Sequence, residues 1–334
     1  MPRQARIDTA GALHHIIARG IERRTIFDDD EDREAFIDRL GTILDQTETE
    51  CYAWALIPNH FHLLLRTGRT PIATVMRRLL TGHAISFNRR HRRSGHLFQN
   101  RYKSILCQED AYLLELVRYI HLNPLRAKRV TDMDELDKYP YSGHAMVMGT
   151  RDYAWQNVAM VLKAFDEKVA SARKRYRSFV EKGIANGKRS DLTGGGLIRS
   201  AGGWTAVKAL RAADAHEKSD ERILGDGAFV ERVLAESQEA LERRYALKAE
   251  GLTVEAVAER VAQVLGITTD QVWLPGKYKQ QVIARSLLCF WSVQELGERM
   301  TALGRRLGIS TTAVSQSVRR GAGIADDLSI KFKS

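Results

Sequence analysis

Short apolar stretches alternate with longer amphipathic segments over the first 125 residues of the chain. Apolar residues recur at every second position in the short stretches, as in strands, and at every third or fourth position in the longer ones, as in helices. The pattern predicts strands over 12–18, 51–57, 60–65 and 103–107, and helices over 30–46, 72–90 and 110–122, with Asp29 or Asp30 capping the first helix and Asp110 the last. This β-α-β-β-α-β order, followed by one more helix, is typical of an α+β domain with a ferredoxin-like, split βαβ arrangement, in which helices cover one sheet face and the other is open.

The third predicted strand, within Ile57–Leu65, carries two histidines two residues apart. Because side chains alternate between the faces of a strand, His60 and His62 project to one side, while Phe61 and Leu63 project to the other and suit a core. Two imidazoles that project together make half of a metal site. The alternative is a pair of polar side chains on the solvent face of an antiparallel strand.

The last predicted helix of this domain carries a tyrosine and an asparagine four residues apart, Tyr119 and Asn123. Residues at this spacing share one helix face, and Leu116 and Ile120 share another that would pack inward. A phenol can attack phosphorus and form a covalent intermediate, and an amide oxygen could complete a metal site begun by two histidines. The alternative makes Tyr119 a core aromatic and Asn123 a helix cap before proline. Tyr112, two helical turns earlier, is the second candidate for the nucleophile.

The distribution of positive charge indicates a class of ligand. Lys and Arg number 52 against 41 Asp and Glu, which gives a net charge of +11. The stretch 66–108 contains no acidic residue, whereas an ordinary solvated surface mixes both signs. This favours a nucleic acid partner. The predicted DNA contacts here are Arg77, Arg78, Arg89, Arg90, Arg101 and Lys103, and His96, Phe98 and Gln99 are candidates for base contacts.

Three cysteines, Cys51, Cys107 and Cys289, lie far apart in apolar stretches and lack a CxxC spacing. This usage predicts buried thiols in a reducing compartment, not a disulfide framework or a zinc site. The sequence has no apolar run long enough to span a membrane, and no hydrophobic signal region follows the basic start. We therefore expect a cytoplasmic protein with no membrane partner.

The second half of the chain is predominantly helical in pattern. Helices are predicted over 158–182, 229–245, 254–265 and 281–296, and a helix-turn-helix follows, with helices over 300–307 and 310–319. Thr311, Thr312, Gln316 and Arg319 lie on the exposed face of the last helix, where such side chains suit contacts with double-stranded DNA. Short helical trios also occur as protein-binding modules, which is the alternative. The predicted domains are 1–150, a helical connector over 151–250, and a DNA-binding domain over 251–334.

Three motifs occur in an order and spacing that closely resemble those of a known family. They are PNHFHLLL at 58–65, GHLFQNRYKS at 95–104 and RYIHLNPLRAKRV at 118–130. Over about residues 5–150 the chain resembles the REP-associated tyrosine transposases, members of the single-tyrosine HUH transposases. The resemblance implies an endonuclease and strand transferase, dependent on Mg²⁺ or Mn²⁺, that cuts single-stranded DNA next to hairpins. It implies that His60 and His62 bind the metal, that Asn123 is the third metal ligand, and that Tyr119 forms a 5′-phosphotyrosine link. The residues alone do not exclude zinc.

Residues 252–322 resemble the C-terminal DNA-binding domain, domain IV, of the replication initiator DnaA. The Asp-His-Thr-Thr signature of that domain is not intact, because Ile309 and Ser310 precede Thr311 and Thr312. The resemblance therefore implies duplex binding but no target sequence. Two other functions stay open: a catalytically inactive DNA-binding regulator that kept the transposase fold, and a metal-dependent RNA-processing enzyme. The protein could act as a monomer or as a homodimer.

Overall fold

The computed structural model of the chain describes residues 7, 11–68, 70–187, 189, 192, 220, 222–235, 252–330 and 332. The chain forms two compact units, Met1–Val233 and Leu234–Ser334. The predicted domain boundaries after residues 150 and 250 stay predictions. Parts of the predicted connector, and the end of the predicted helix over 229–245, lie outside the described residues; residues 227–235 are helical.

The first unit is built on a five-stranded sheet in the order β2-β3-β1-β4-β5. The elements up to the last predicted helix are β1 (Leu13–Arg19), a 3₁₀ turn (Ile21–Arg23), α1 (Asp30–Thr47), β2 (Glu50–Ile57), β3 (His60–Arg66), α2 (Ile72–Arg90), β4 (Lys103–Cys107) and α3 (Glu109–His121). They are followed by α4 (Asn123–Arg126), α5 (Met133–Leu136), α6 (Gly143–Met148), α7 (Val158–Lys163), α8 (Val169–Lys182) and β5 (Ile223–Leu224). The strands β1 to β4 pair antiparallel, and β5 pairs parallel to β4. This confirms the predicted α+β class and the split βαβ order.

One face of the sheet is covered by α1 and α2, as predicted. Phe36 of α1 and Leu79 of α2 are fully buried in one cluster with Phe61 and Leu63 of β3. The predicted cap of α1 is present, because the carboxylate of Asp29 accepts a hydrogen bond from a backbone N–H in the first turn of the helix. This side of the unit is therefore a conventional hydrophobic layer.

The second face of the sheet is also covered, so the prediction of an open face is wrong. Leu116 and Ile120 of α3 are fully buried and pack against the small side chains of Ala53 and Ala55 on β2. Helices α6, α7 and α8 complete this layer. The error arose because residues 143–182 fold back onto the sheet, which no local pattern shows. As a result, His62 is 4% exposed and does not lie on a solvent face.

Two further predictions about elements were wrong in detail, and one strand was not predicted. Helix α3 begins at Glu109 and is not capped by the side chain of Asp110. The helix predicted over 158–182 is two helices, because the carboxylate of Asp166 accepts hydrogen bonds from the Lys168 N–H (3.1 Å) and the Ser171 hydroxyl (2.7 Å) in the break. Strand β5 was not predicted, since two residues are too short to give a pattern.

Neighbouring segments lie along both outer sides of the four-stranded core of the sheet. On β2, the Leu56 N–H donates to the carbonyl of Tyr141 (2.9 Å), and the carbonyl of Cys51 accepts from the Asn157 N–H (2.8 Å). On the other side, β5 pairs with β4. These contacts satisfy backbone groups that would otherwise line an open edge.

The second unit is helical in its described part, with α9 (Val254–Leu265), α10 (Thr269–Trp273), α11 (Lys279–Gln294), α12 (Met300–Leu307) and α13 (Thr311–Asp327). The side chains of Thr253 and Ser310 cap α9 and α13, and Gly308 ends α12 in the left-handed conformation that glycine adopts without strain. The predicted helices and the short turn between α12 and α13 are thus present. Across the described part of the chain, none of the helices combines the length and apolarity needed to cross a bilayer.

Candidate active site

The two histidines of β3 lie side by side on the sheet face that α3 covers. His60 pairs with Arg19 and His62 with Ile17 on the neighbouring strand β1, so all four side chains project toward this face. The centroids of the two imidazole rings are 5.3 Å apart. The strand therefore presents the pair as its alternation predicts.

Helix α3 brings the predicted tyrosine and asparagine to the same place. The ring centroid of Tyr119 lies 5.8 Å from that of His62. A cavity of 470 Å³ opens between the helix and the sheet, and it is lined by Ile17, Arg19, His60, His62, Gln99, Asn100, Arg101, Lys103, Tyr119 and Asn123. Four side chains from distant parts of the chain thus converge around one space, and every charged side chain among the lining residues is basic.

Each histidine is oriented by a hydrogen bond to its Nδ1 atom. His60 Nδ1 lies 2.7 Å from Oδ1 of Asn59, and His62 Nδ1 lies 3.0 Å from Nε2 of His15. The buried rings of His15 and His62 are also stacked, 5.3 Å between centroids. These bonds leave the Nε2 atoms of His60 and His62 as the nitrogens available to a ligand. An imidazole that binds a metal characteristically has its other nitrogen held in this way.

Both histidines favour the neutral form, which is the form that binds metals. Burial, and then the charge of Arg19, lowers the pKa of His60 to about 4. Burial lowers the pKa of His62 well below its usual value, with smaller effects from His15 and His60. The pair is therefore uncharged at neutral pH.

The side chain of Asn123 is fixed so that its oxygen is the free end. Its Nδ2 donates to the carbonyls of Tyr119 (3.0 Å) and Ile120 (3.2 Å), and only the amide nitrogen can make such bonds. The oxygen, Oδ1, is left to a ligand. Among the described residues, no group of three His, Cys, Asp or Glu side chains could hold a metal. A cation at this cavity would therefore need the Asn123 amide beside the two imidazoles, a nitrogen and oxygen set that suits Mn²⁺ and, with added water, Mg²⁺.

Tyr119 lies beside a basic side chain that the sequence analysis did not single out. The guanidinium of Arg126 is 5.0 Å from the centroid of the Tyr119 ring, and its Nη1 donates to the Tyr119 carbonyl (3.1 Å). Burial lowers the pKa of Arg126, against an opposing effect of Tyr119. A cation at this position favours a phenolate over a phenol. Tyr112, the second candidate, packs with the hydrophobic cluster under α3 and does not line the cavity.

The predicted DNA-contacting arginines and lysine fall into separate groups. Arg101 and Lys103 line the cavity, together with Arg19, Gln99 and Asn100. Arg77 and Arg78 line a different cavity, between α1 and α2 on the opposite sheet face. Arg89 is exposed on α2, while Arg90 forms ion pairs with Asp29, Glu31 and Asp32. Of the other base-contact candidates, His96 is exposed and Phe98 packs against the core.

Arg19, Asn100 and Arg126 were not assigned to the site from the sequence, and His15, on the first strand, was interpreted as a structural residue. The alternation of β1 places His15, Ile17 and Arg19 on one face, so a correct strand pairing would have found His15 and Arg19. Arg126 lies within the third motif, seven residues after Tyr119, which is two helical turns. In the second unit, Thr312, Gln316 and Arg319 are exposed on α13, and Thr311 is partly buried.

A family model described as "Transposase IS200 like" matches residues 9–123 of the chain. The matched segment ends at Asn123 and contains both histidines and Tyr119. The match confirms the predicted resemblance to tyrosine transposases over this segment, and it supports a transposase role for the first unit. It does not reach the second unit, so the resemblance of residues 252–322 to DnaA stays a prediction.

Two solved structures show weaker similarity. One is a REP-associated tyrosine transposase bound to a REP hairpin, with 15% identity, a TM-score of 0.38, and coverage of 47% of this chain and 98% of that one. The other is a putative transposase from Deinococcus radiodurans R1, with 21% identity, a TM-score of 0.26, and coverage of 36% and 94%. No curated protein matches the chain.

Proposed function

We propose that this protein is a metal-dependent endonuclease and strand transferase that cuts single-stranded DNA next to hairpins. The observation that carries the proposal is the convergence of His60, His62, Tyr119 and Asn123 on one cavity whose charged lining is entirely basic. Such a cavity suits a phosphodiester, and its lining includes a phenol and two imidazoles that could bind a metal. The family match over residues 9–123 supports the same reaction class.

In the proposed reaction Tyr119 is the nucleophile. Its phenol oxygen forms a bond to phosphorus, and the bond between phosphorus and the 3′-oxygen breaks. The 3′-oxygen leaves as a hydroxyl and takes up the proton that the phenol loses, which leaves a 5′-phosphotyrosine. Attack by another 3′-hydroxyl reverses these steps and joins strands. Arg126 would stabilise the phenolate.

His60, His62 and the amide oxygen of Asn123 would hold Mg²⁺ or Mn²⁺. The bound cation would withdraw charge from a phosphate oxygen. Arg101 and Lys103, with Arg19, would hold the neighbouring phosphates and supply affinity without sequence choice. We assign Arg77, Arg78, Arg89 and Arg90 a more distant role along the DNA.

The second unit would bind double-stranded DNA through α13. Thr312, Gln316 and Arg319 lie four and three residues apart and are exposed, so one helix face presents two polar side chains and a cation. Such residues suit base-edge and phosphate contacts, with Thr311 at the start of the helix. The unit would deliver the nuclease to a duplex site.

Covalent trapping tests the proposed reaction. The protein is incubated with a hairpin-bearing single strand and Mn²⁺, and the adduct is resolved on a denaturing gel. We expect an adduct that is lost in Tyr119→Phe and retained in the matched control Tyr112→Phe. Hairpin binding without an adduct, over a wide range of hairpins, would support the inactive regulator instead. Metal-dependent cleavage of RNA without an adduct would support the RNA-processing enzyme.

A further inference from the structure

Helix α8 contributes a buried tyrosine whose hydroxyl joins two histidines. The Tyr176 hydroxyl lies 2.6 Å from Nδ1 of His121, on α3, and 2.8 Å from Nδ1 of His144, on α6. All three side chains are fully buried. This series of hydrogen bonds continues toward the surface. Nε2 of His144 lies 2.8 Å from the carboxylate of Asp137, which also accepts a hydrogen bond from Arg177 (2.7 Å).

The chemistry of these groups fixes the direction of each hydrogen bond. Asp137 can only accept, because His144 and Arg177 hold its pKa below the usual value although burial alone would raise it. Burial lowers the pKa of His144, so its ring is neutral and carries one proton. His144 therefore donates through Nε2, and its Nδ1 accepts the Tyr176 hydroxyl proton. The remaining acceptor, the Tyr176 oxygen, takes a hydrogen bond from Nδ1 of His121. Three helices are thus tied by bonds that each have one possible direction.

A second contact between α8 and α3 involves Arg118, the residue that precedes Tyr119 in the sequence. The Arg118 guanidinium lies 4.3 Å from the centroid of the Phe179 ring. A Cβ added to Gly183, at the end of α8, would lie 2.5 Å from Cδ of Arg118, so α8 fits closely over this side chain. Residues 118 and 121 therefore bracket the proposed nucleophile with contacts to one helix.

These contacts lie on the side of α3 that faces away from the cavity, and they can therefore fix the rotation of the helix. Successive residues of an α-helix are about 100° apart, so His121 projects to the side of α3 roughly opposite to Tyr119. A hydrogen bond that fixes His121 consequently fixes the rotation of the helix, and with it the direction in which Tyr119 and Asn123 enter the cavity. A misplacement of about 1 Å at a reacting group can cost on the order of 100-fold in rate.

We propose that Tyr176 is a positioning residue that sets the rotation of α3, so that Tyr119 and Asn123 meet the histidine pair. This inference rests on the proposed function. It assigns a role in the reaction to α8, which lies beyond the segment that matches the transposase family model. The first unit thus needs residues after Asn123 to complete its site.

The test measures the rate constant of adduct formation in a single turnover, with the full-length protein, a hairpin-bearing strand and Mn²⁺. We expect Tyr176→Phe, which removes only the hydroxyl, to lower the rate constant at saturating Mn²⁺ about tenfold or more while the hairpin affinity stays unchanged. Tyr139→Phe is the matched control, because Tyr139 also packs in this unit, but its hydroxyl contacts the Leu56 carbonyl (3.5 Å) and the Arg129 side chain, neither of which lies on α3 or α8. We expect it to react like the wild type.

A merely structural role gives a different result. It would lower the amplitude of adduct formation with the folded fraction and leave the rate constant unchanged, which would overturn the inference. If Tyr176→Phe does not fold, Asp137→Asn tests the inference instead, since it alters the series of hydrogen bonds at its partly exposed end. We expect it to lower the rate constant to a smaller degree, and an unchanged rate constant would also overturn the inference. A wild-type protein that forms no adduct would instead contradict the proposed function.

Discussion

At the scale of single residues, the site depends on groups that orient its functional side chains. His15 is the clearest example. It is buried, it stacks on His62, and its Nε2 meets Nδ1 of that ring. If His62 binds a metal through Nε2, its Nδ1–H donates to His15, which fixes both the tautomer and the ring direction.

We predict that His15→Phe weakens Mn²⁺ binding roughly 10- to 100-fold, because Phe keeps a ring in the stack but cannot accept the hydrogen bond. Isothermal titration with Mn²⁺ measures the change. The matched control is His14→Gln, since His14 is equally buried but lies on the opposite face of β1, with its Nδ1 near the Ser104 hydroxyl (3.2 Å). Equal Mn²⁺ affinity in His15→Phe and the wild type would contradict the prediction.

At the scale of elements, an arginine at the end of α2 links this helix to the start of α1. Arg90 donates to both carboxylate oxygens of Asp29, the N-cap of α1, at 2.8 and 2.6 Å, and to Asp32 at 2.8 Å. The hydrogen bond from Arg90, with one from the Asp32 N–H, lowers the pKa of Asp29 from 3.8 to about 2. A folded-state pKa below the unfolded value means that the ionised form stabilises the fold.

We predict that Arg90→Gln lowers the thermal stability at pH 7, and that the difference from the wild type shrinks as the pH falls from 3.8 toward 2. The direction follows because protonation of Asp29 removes the interaction from the wild type as well. Circular dichroism melts over this pH range measure it. The neighbour Arg89→Gln is the control, because Arg89 is exposed at the end of α2. A difference that stays constant down to pH 2 would contradict this account.

Local pattern was sufficient for the first four strands, for most of the longer helices and for part of the site. Alternation predicted that His60 and His62 share a face, and helical spacing predicted that Tyr119 and Asn123 share another. Contacts across long stretches of chain were not predictable in this way. His15 meets His62 across 47 residues, and α8 reaches α3 from more than fifty residues away. The open face was predicted wrongly for the same reason, since the covering helices return from 143–182.

At the scale of the whole molecule, two compact units divide the proposed work between cutting and delivery. If α13 binds duplex DNA, changes on its exposed face affect duplex affinity without touching the chemistry of the first unit. Arg319 is the one cation among the proposed contacts of that face. We expect Arg319 to bind phosphate, so its loss should weaken affinity for all sequences alike, and the size of this effect should depend on salt.

We predict that Arg319→Gln lowers duplex affinity and reduces the slope of log affinity against log salt by about one. Adduct formation on a hairpin-bearing single strand should be unchanged. Fluorescence anisotropy over a range of salt concentrations measures the slope, with Arg260→Gln on α9 as the control. A parallel loss of duplex binding and of adduct formation would show that the two functions are not separable in this way.

The segments that lie along β2 and β4 affect how copies of this molecule meet. An exposed strand edge is a template on which an identical strand from another molecule can add, and such addition can continue into a fibre. Here the edge groups of Leu56 and Cys51 are already bonded to residues 141 and 157 of the same chain, and β5 occupies the side of β4. Addition of an identical strand is thereby blocked at these positions, so concentrated preparations should resist this route to aggregation.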